Sequence, residues 1–453
     1  MMKQYDSYKD SGVEWIGKIP SHWEVCRLKN HSKIVLGKMI MSIPPKGEEE
    51  NYTLEKYLKS RNIGWLKVFD SEEEVDEMWF NQYEKELYRL HTNDIVMNEG
   101  GDIGKIGLWN NTDYPCYIQN SVNKITTDNA TSPFYLQYLL FAIAKTNYFW
   151  SIVNPISIAH LTKEKLSSTP IVLPPLSEQE VIASYLDKKC GEIDKAIATQ
   201  EKRVELLKEL RQNIITQAVT RGINPNAPLK DSGVEWIGKV PEHWEIKRIK
   251  HVINLLTDYD ANGSFADIAK NCKVNEGEPY AWMVRATDLE NKRYGIVDGN
   301  NYCDLSTYKY LAKSSLRAND ILIAKRGDIG KTYLVPQCDD PMTLAPNTYL
   351  LLTKKDVIDN IFFFSYLQSS GGVENLRILN KSTTLGALYK DDVKAMQIPV
   401  PPLPEQQEIV SYIESQTARL DKSIEKAEHQ IELLQELKQS IITEVVTGKR
   451  KVV

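Results

Sequence analysis

Apolar residues along this chain form two long heptad patterns, and the segments around them alternate like short strands. The first heptad stretch runs from Leu176 to Thr220 and is rich in Glu, Lys, Leu, Ile and Ala, which are strong helix formers. Two prolines precede it, and Gly222 and Pro225 follow it, as expected for the start and stop of a helix. At about 1.5 Å per residue, this helix would be on the order of 65–70 Å long.

The apolar stripe of this helix predicts a coiled-coil seam. Its positions are separated by alternating steps of four and three residues, which is the heptad spacing. A lone helix of this length needs a partner to cover such a stripe. The predicted seam consists of Leu186, Cys190, Ile193, Ile197, Gln200, Val204, Leu207, Arg211, Ile214 and Ala218.

The partner helix is predicted in the same chain, because the pattern returns 227 residues later, from Leu403 to Thr447. Arg211 and Lys438 interrupt the two seams at the same slot. A basic residue in a seam either fixes register and orientation or extends its long stem to water. The second seam consists of Ile413, Thr417, Leu420, Ile424, Ala427, Ile431, Leu434, Lys438, Ile441 and Val445.

A second repeat, here called the signature segment, occurs twice ahead of the helices. Lys9–Glu24 read KDSGVEWIGKIPSHWE and Lys230–Glu245 read KDSGVEWIGKVPEHWE, with fourteen of sixteen positions identical. The chain therefore contains two copies of one unit. The recurring Trp and Pro residues favour packing of a domain entry onto its core, with docking of a partner as the alternative. His22 and His243 are interpreted as packing residues rather than catalytic ones.

Each signature segment is followed by a body, and the two bodies share a layout but little sequence. The first body alternates the strand-like runs NDIVMNE, KIGLW and YIQNSVNKI with a helical run near Phe134–Phe149. In the second body, Met283–Leu289 align with Tyr57–Ile63 at an offset of 226. These patterns predict an α+β protein with two pseudo-symmetric α/β domains separated by a pair of long antiparallel coiled-coil helices. The predicted segments are 1–24 and 223–245 for the signatures, 25–175 and 246–402 for the bodies, and 176–222 and 403–453 for the helices.

Each body also contains the sequence GDIGK after an apolar strand-like run, at Gly101–Lys105 and at Gly327–Lys331. The glycines predict a tight hairpin turn. A phosphate-binding loop is rejected, because its first glycine would fall at Lys325. The residues just before the turn are polar and acidic at Asn98–Gly100 but basic at Lys325 and Arg326. If these turns face DNA, they would prefer different base edges.

The composition describes an ordinary globular protein. The chain has 453 residues, of which 42% are hydrophobic and 26% charged, and it contains no apolar run long enough to span a membrane. The N-terminus lacks an apolar signal core, and the six cysteines form no Cys-x-x-Cys pair. This cysteine usage argues against a zinc site and favours a reducing, cytoplasmic location. The net charge of −5 does not by itself indicate a nucleic-acid binder.

No catalytic motif is visible, and the chain is interpreted as non-catalytic. Asn154–Ser157 read NPIS, which is not the Asn-Pro-Pro-aromatic motif with which an amino-methyltransferase holds a flipped base. No glycine-rich cofactor loop and no paired carboxylate cluster stand out. A stand-alone DNA-modifying enzyme would need a cofactor site, so that class is disfavoured. A coiled-coil scaffold without sequence-specific DNA binding explains the helices but not two divergent bodies, and it remains the alternative.

The doubled signature, the PPLxEQ junctions at Pro174–Gln179 and Pro401–Gln406, and the long helices resemble the DNA-specificity subunit of type I restriction-modification systems. The resemblance covers essentially the whole chain. It implies that each body is a target recognition domain that reads one half of a split site in double-stranded DNA. It also implies that the helices form a spacer and hold two methyltransferase subunits, which carry S-adenosylmethionine and methylate adenine. A motor-nuclease subunit would join them, and no cofactor is expected on this chain.

A spacer of about 65–70 Å matches about two turns of B-DNA, so two bodies at its ends would reach separated half-sites. Because the bodies differ, the halves should differ in sequence. Residues at aligned turn or strand-end positions that differ in chemistry are the candidate DNA contacts, with ordinary solvated charges as the alternative. The candidates are Lys59, Arg61, Asn98 and Lys105 in the first body, and Arg285, Lys325, Arg326 and Lys331 in the second.

Overall fold

The computed structural model describes residues 4–153, 160–379 and 387–452, so the Asn154–Ser157 motif lies outside the described residues. The chain forms two compact units. Unit 1 comprises Met1–Glu201 and His429–Val453, and unit 2 comprises Lys202–Glu428. Both long helices cross the division, so each unit contains one body, one signature segment and parts of both helices. Within the described ranges, no helix is both long and apolar enough to cross a membrane.

The elements of the first copy follow the predicted layout. Its strands are β1 (Tyr8–Asp10), β2 (Lys18–Pro20), β3 (Glu24–Arg27), β4 (Ser32–Leu36), β5 (Tyr52–Leu58), β6 (Ile63–Gly64), β7 (Lys67–Val68), β8 (Asp76–Asn81), β9 (Ile95–Asn98), β10 (Ile106–Leu108), β11 (Cys116–Ile118), β12 (Val122–Thr127) and β13 (Pro170–Leu173). Its helices are α1 (Gln82–Tyr88), α2 (Pro133–Lys145), α3 (Tyr148–Ile152), α4 (Lys163–Ser167) and α5 (Leu176–Arg221), with 3-10 turns at Leu28–Asn30, Glu49–Asn51 and Ser60–Asn62.

The second copy has a related but not identical order, with twelve strands instead of thirteen in the described ranges and a helix between β17 and β18. Its strands are β14 (Leu229–Asp231), β15 (Lys239–Pro241), β16 (Glu245–Arg248), β17 (Ile253–Asp258), β18 (Ala281–Val284), β19 (Tyr302–Cys303), β20 (Ser315–Leu316), β21 (Ile321–Ala324), β22 (Thr332–Leu334), β23 (Met342–Leu344), β24 (Thr348–Thr353) and β25 (Gln397–Val400). Its helices are α6 (Ile249–Val252), α7 (Phe265–Asn271), α8 (Ala286–Glu290), α9 (Leu305–Tyr310), α10 (Asn360–Gln368), α11 (Ser370–Ile378), α12 (Lys390–Ala395) and α13 (Leu403–Val446), with 3-10 turns at Tyr259–Asn262 and Ala312–Ser314.

Each body contains an antiparallel sheet of four strands and a second sheet that includes one parallel pair. In unit 1 the strand orders are β10-β9-β12-β4 and β11-β5-β8, with β11 parallel to β5. In unit 2 they are β17-β24-β21-β22 and β19-β18-β23-β20, with β18 parallel to β23. The run YIQNSVNKI is therefore two strands, β11 and β12, in different sheets. The predicted α+β class is confirmed.

The two long helices match the heptad stretches Leu176–Thr220 and Leu403–Thr447 to within one residue at each end, whereas α13 ends at Val446, before the end of the predicted segment 403–453. Inside each unit the two helices run antiparallel. Going along α5 toward its C-terminus, the contacted residues of α13 come progressively closer to the N-terminus of α13. In unit 2, for example, Lys208 contacts Glu428 and Arg211 contacts Asp421. The predicted seam positions are buried or half-buried on both helices, while their neighbours are mostly exposed. The heptad spacing therefore predicted the packed face of both helices correctly.

Each unit has the same joint between the end of a long helix and a signature segment. A Cβ added to Gly222 would lie 3.3 Å from Cζ2 of Trp244 in unit 2, and one added to Gly448 would lie 3.3 Å from Cη2 of Trp23 in unit 1. Both glycines have left-handed backbone, with φ near +71° and +72°. In unit 1 the Tyr8 hydroxyl also donates to the carbonyl oxygen of Gly448 at 3.2 Å. Glycine is needed at both joints for conformation and for close packing.

Candidate functional site

The two signature segments are held by equivalent carboxylates at the start of the long helices. In unit 1, Glu178 accepts hydrogen bonds from the Trp23 indole at 3.2 Å and the Tyr5 hydroxyl at 2.6 Å, and it contacts His22 Nε2 at 2.8 Å. Burial, together with the bond to Glu178, raises the pKa of Tyr5 well above its usual value, so its hydroxyl remains a donor. These bonds explain why Trp and His recur in the signature and Glu recurs in the PPLxEQ junction.

Unit 2 repeats this junction. Glu405 accepts from the Trp244 indole at 3.0 Å and contacts His243 Nε2 at 2.7 Å. Trp23 and Trp244 are both fully buried. The packing interpretation therefore holds for these two tryptophans, whereas His22 and His243 are about half exposed and contact the carboxylate from the surface.

The glutamine of each PPLxEQ junction fixes the loop ahead of a body helix. In unit 1, Gln179 donates to the carbonyl of Pro174 at 2.9 Å and accepts from the backbone of Ser132, the N-cap residue of α2, at 2.8 Å. In unit 2, Gln406 donates to Pro401 at 2.8 Å and accepts from Asp359, the N-cap of α10, at 2.7 Å. Each Glu-Gln pair thus connects a signature, a body and a long helix.

The basic residues in the two seams form equivalent ion pairs between helices. In unit 1, Lys438 contacts both oxygens of Asp194, at 2.7 and 2.8 Å. In unit 2, Nε of Arg211 donates to Asp421 at 2.8 Å. Asp421 stands 227 residues after Asp194, so both members of the pair are repeated. This arrangement supports the register role of the basic slot, since the charged ends meet acids of the opposite helix.

Each long helix also exposes a pair of leucines one turn apart. Leu206 and Leu210 lie on the part of α5 in unit 2, and Leu433 and Leu437 lie at the equivalent positions of α13 in unit 1. Their exposures fall between 47% and 52%, although leucine is mostly buried in proteins. The heptad seam does not include these positions, so the sequence prediction missed them.

In unit 1, the candidate DNA-contact residues Lys59 and Arg61 share one acid. The Lys59 ammonium pairs with Asp76, and Nη2 of Arg61 donates to the same carboxylate at 2.8 Å. These contacts, first of all the hydrogen bond from Lys59, hold the pKa of Asp76 below its usual value. Lys105 likewise pairs with Asp102 across the GDIGK turn.

Asn98 does not fit the predicted contact role. It is 1% exposed at the end of β9, and its side-chain nitrogen donates to the Ser60 carbonyl at 3.1 Å. This bond holds the buried side chain against the 3-10 turn Ser60–Asn62 rather than at the surface. We therefore leave Asn98 out of the surface considered below.

In unit 2, most candidate cations are also neutralised within the protein. Arg285 is the N-cap residue of α8, and its guanidinium donates to the Asp288 carboxylate at 2.6 Å and to the Gly299 carbonyl at 2.6 Å. Lys331 contacts Asp328 and Glu290. Lys325 is mostly buried between Asp258 and Asp260, at 3.0 and 2.6 Å. A further lysine, Lys390, reaches Asp258 at 2.8 Å, so Lys325 belongs to a structural ion network.

Arg326 differs from the other candidates. It follows β21 at the tip of a hairpin, is exposed, and has no side-chain hydrogen bond or ion pair to any residue that the structure describes. The residue aligned with it in the first body is Gly100. Among the described residues the Arg326 guanidinium therefore has no partner, and the first copy has no arginine at the aligned position.

The GDIGK sequences form hairpin turns in both bodies, as predicted. The strands on either side pair antiparallel, β9 with β10 and β21 with β22. A Cβ on Gly104 would lie 2.8 Å from Cβ of Ala144, and one on Gly330 would lie 2.9 Å from Cβ of Leu376. The second glycine is therefore required by close packing of the turn against a helix as well as by its positive φ.

Exposed apolar side chains mark a loop that the sequence prediction missed. The connection between β4 and β5 exposes Met39, Ile40 and Ile43, and the equivalent connection between β17 and β18 exposes Phe265 to 92%. The sequence signal is a short apolar run inside a segment rich in Pro, Lys and Gly in the first body. Because the two connections occupy the same place in the topology, both bodies present apolar groups from an equivalent connection, which in the second body includes the start of α7.

Comparison with known proteins gives concordant matches. The model of the type I restriction modification DNA specificity domain matches residues 20–208 and 241–433. The putative type I restriction enzyme MjaX specificity subunit of Methanocaldococcus jannaschii is 24% identical over 451 residues, which cover 96% of each chain. The type I restriction enzyme EcoBI specificity subunit of Escherichia coli is 24% identical and covers 80% of this chain and 75% of its own.

A solved structure also resembles this chain along nearly its whole length. It comes from work on the structural basis of complex assembly and conformational transition of the type I R-M system. The TM-score is 0.67 at 16% identity, and the match covers 94% of this chain and 98% of that one. At this identity the likeness shows the fold alone.

Proposed function

This chain belongs to the type I restriction modification DNA specificity family, and we propose that its two target recognition domains each read one half of a split, asymmetric DNA site. The observation that carries the proposal is the contrast between the two copies. Their signatures, junction contacts and helix pairs are almost the same, whereas their bodies differ at the exposed tips. A protein that presents two different reading surfaces on one repeated frame recognises two different half-sites.

The hairpin tip with Arg326 is the best supported reading element in the second domain. A free guanidinium can bind the O6 and N7 atoms of guanine through two hydrogen bonds, or it can bind a phosphate. The first domain has Gly100 at this position, so it has no side chain there that could bind a base edge. Cations that are paired within the protein, such as Lys331, would have to break an ion pair with a carboxylate before they could bind DNA.

The apolar loop tips supply a second mode of contact. Phe265 in one domain and Met39, Ile40 and Ile43 in the other are the types of side chain that proteins insert between base steps. Such wedges read the deformability of DNA rather than hydrogen bonds at base edges. This mode needs few cations, which agrees with a chain of net charge −5.

The exposed leucine pairs are the proposed docking sites for two methyltransferase subunits. The pair Leu206 and Leu210 and the pair Leu433 and Leu437 are chemically identical, so one kind of partner can bind at both. Identical partners at both sites leave the difference in specificity to the bodies. S-adenosylmethionine and the methylation of adenine belong to these partners, and a motor-nuclease subunit completes the complex. Members of this family are generally non-catalytic, and catalysis is assigned to the partner subunits.

The test is to express this chain together with the methyltransferase subunit of the same system in a host without adenine methylation. Methylated adenines are then mapped across the genome. A single split and asymmetric motif is expected, and replacing residues 246–402 with the corresponding segment of a relative should change one half only. Methylation without any motif, or none despite a stable complex, would favour the coiled-coil scaffold.

A further inference from the structure

Three side chains with metal-binding groups converge beside the signature segment of unit 1. They are the Glu24 carboxylate, the Cys26 thiol and the His31 imidazole, and one potential ligand atom from each lies within 4.8 Å of the other two. Ligand atoms around a tetrahedral zinc ion, at bond lengths of about 2.0–2.3 Å, lie roughly 3.5 Å apart. Small side-chain rotations would therefore close the cluster on an ion. No other group of three such residues meets this criterion in the described part of the chain.

Local structure places these groups together. Glu24 and Cys26 are two residues apart on β3, so their side chains lie on the same face of the strand. The 3-10 turn Leu28–Asn30 follows, and His31 is its C-cap residue, which brings the imidazole back toward the strand. β3 itself is held by pairing with β13. Two of the three ligands thus stand on a strand fixed by backbone hydrogen bonds.

A fourth acid orients the histidine. Nδ1 of His31 lies 3.0 Å from a carboxylate oxygen of Asp128, whereas Nε2 has no hydrogen-bond partner among the described residues. Metal-binding histidines usually make such a hydrogen bond to a carboxylate through the nitrogen that is not bound to metal. Asp128 thus holds one ring nitrogen of His31 and leaves the other without a hydrogen-bond partner among the described residues.

In the second copy, the positions aligned with this cluster include a lysine. Glu24 is repeated as Glu245, but Lys247 stands at the position of Cys26 and Val252 at that of His31. The Lys247 ammonium contacts Glu245 at 2.8 Å. In unit 2 a positive charge thus compensates the glutamate, whereas unit 1 has a thiol at the position of that lysine and an imidazole at residue 31.

We propose that Glu24, Cys26 and His31 bind one divalent transition-metal ion of the zinc class, and that Asp128 positions the imidazole. A thiolate, an imidazole and a carboxylate together suit Zn²⁺ or Co²⁺ and do not suit Mg²⁺ or Ca²⁺, which prefer oxygen ligands. On binding, the thiol releases its proton to solvent and the sulfur forms the metal bond. The absence of a Cys-x-x-Cys pair led the sequence prediction away from a zinc site, because these ligands are mixed and stand at i, i+2 and i+7.

Such an ion would stabilise the entry of the first target recognition domain. It would connect β3, the 3-10 turn and, through Asp128, the end of β12. Ligands that bind only the folded state raise its stability as their concentration rises above the dissociation constant. The second domain would not respond, because Lys247 already occupies the equivalent place.

The experiment uses the full chain, purified without a metal-affinity tag and stripped with a chelator, and then titrated with Zn²⁺ and Co²⁺. One equivalent should bind, Co²⁺ should give a thiolate charge-transfer band, and Zn²⁺ should raise the unfolding temperature of unit 1. Cys26→Lys copies the arrangement of unit 2, so it should fold normally and lose all three responses. Asp128→Asn should weaken binding about 10–100-fold.

Cys338→Ser is the control for a thiol outside the cluster, and it should leave binding unchanged. The proposal is overturned if the wild-type chain binds no stoichiometric metal at micromolar concentrations. It is also overturned if binding survives Cys26→Lys, or if the bound Co²⁺ shows no thiolate band. Because Cys26→Lys keeps an ion pair with Glu24 available, loss of metal there is distinguishable from a failure to fold.

Discussion

Lys438 and Asp194 form an ion pair between the two long helices in unit 1, with the ammonium at 2.7 and 2.8 Å from the two carboxylate oxygens. The same pair recurs in unit 2 as Arg211 and Asp421. Each basic residue occupies a slot that a coiled coil normally gives to an apolar side chain. The repeat therefore preserves a polar contact in the seam, which is the kind of feature that fixes the register of two helices.

Reversing one charge of this pair should destabilise unit 1. Lys438→Glu places two acids side by side, and we expect a loss of about 1 kcal/mol in the free energy of unfolding, because the pair is partly exposed. The double variant Asp194→Lys with Lys438→Glu should recover most of that loss. Urea unfolding of the four proteins gives the coupling energy.

The control for the charge reversal is Lys189→Glu, which reverses a pair with Glu192 within one helix. That change should have a smaller effect, because the pair does not join the two helices. A coupling energy near zero between residues 194 and 438 would contradict the register role.

Removing the carboxylate of Glu178 or Glu405 should lower the free energy of unfolding by more than the charge reversal does, and each change should act on its own unit. Glu178→Ala leaves the buried Trp23 indole and the Tyr5 hydroxyl without acceptors, and an unsatisfied buried donor costs about 1–3 kcal/mol. Glu178→Gln keeps an acceptor and should cost less. The equivalent change in unit 2, Glu405→Ala, should destabilise by a similar amount.

Tryptophan fluorescence during urea unfolding can follow both junctions. Because Glu178 and Glu405 share no partner, their effects on stability should add in the double variant. If Glu178→Ala leaves stability and fluorescence unchanged, the carboxylate does not hold the signature segment.

We expect Arg326 to contribute to the choice of DNA sequence that is methylated, and we expect Lys331 not to contribute. Arg326→Ala removes a guanidinium that binds no residue in the described ranges, so we expect relaxed discrimination at one base of one half-site, by about 10–100-fold. Lys331→Ala removes an ammonium that Glu290 and Asp328 already bind, so the methylation motif should persist. The measurement is the genome-wide methylation map of each variant expressed with its methyltransferase partner. A uniform loss over all sites with Arg326→Ala would instead indicate a phosphate contact.

The leucine pairs should control how many methyltransferase subunits bind. Leu206→Ser with Leu210→Ser should weaken one docking site, and the bound partners should fall from two to one in native mass spectrometry. The change should leave thermal stability close to that of the wild type, because both side chains are about half exposed. Leu433→Ser with Leu437→Ser should do the same at the other site. A complex that keeps two partners in both double variants would exclude these leucines from docking.

Long-range periodicity made the frame predictable. The heptad steps located the helices, and the common slot of Arg211 and Lys438 pointed to a shared role before either partner was known. The recurring Trp and His of the signature pointed to packing, but only the fold shows that Glu178 and Glu405 receive them. Patterns of this kind are visible because each position is repeated at a constant offset in the same sequence.

The reading surface was less predictable, because it depends on contacts between residues distant in sequence. Nothing near Lys59 or Arg61 in the sequence reveals that Asp76 neutralises both. Asn98 reads as a polar turn residue, although the pairing of β9 buries it. The run YIQNSVNKI reads as one strand, although its halves join different sheets. The exposed Phe265 was missed because a single aromatic residue at the start of a short helix carries no periodic signal.

The joint between a long helix and a signature segment is made in two ways. At Gly222 the peptide chain runs on into the signature that contains Trp244, whereas at Gly448 the chain reaches Trp23 only through packing and the bond from Tyr8. The geometry at the two tryptophans is nearly the same. A peptide link between the long helix and the signature segment is thus not needed for this joint to form. The order of the two copies along the chain can therefore differ without changing the fold of either copy.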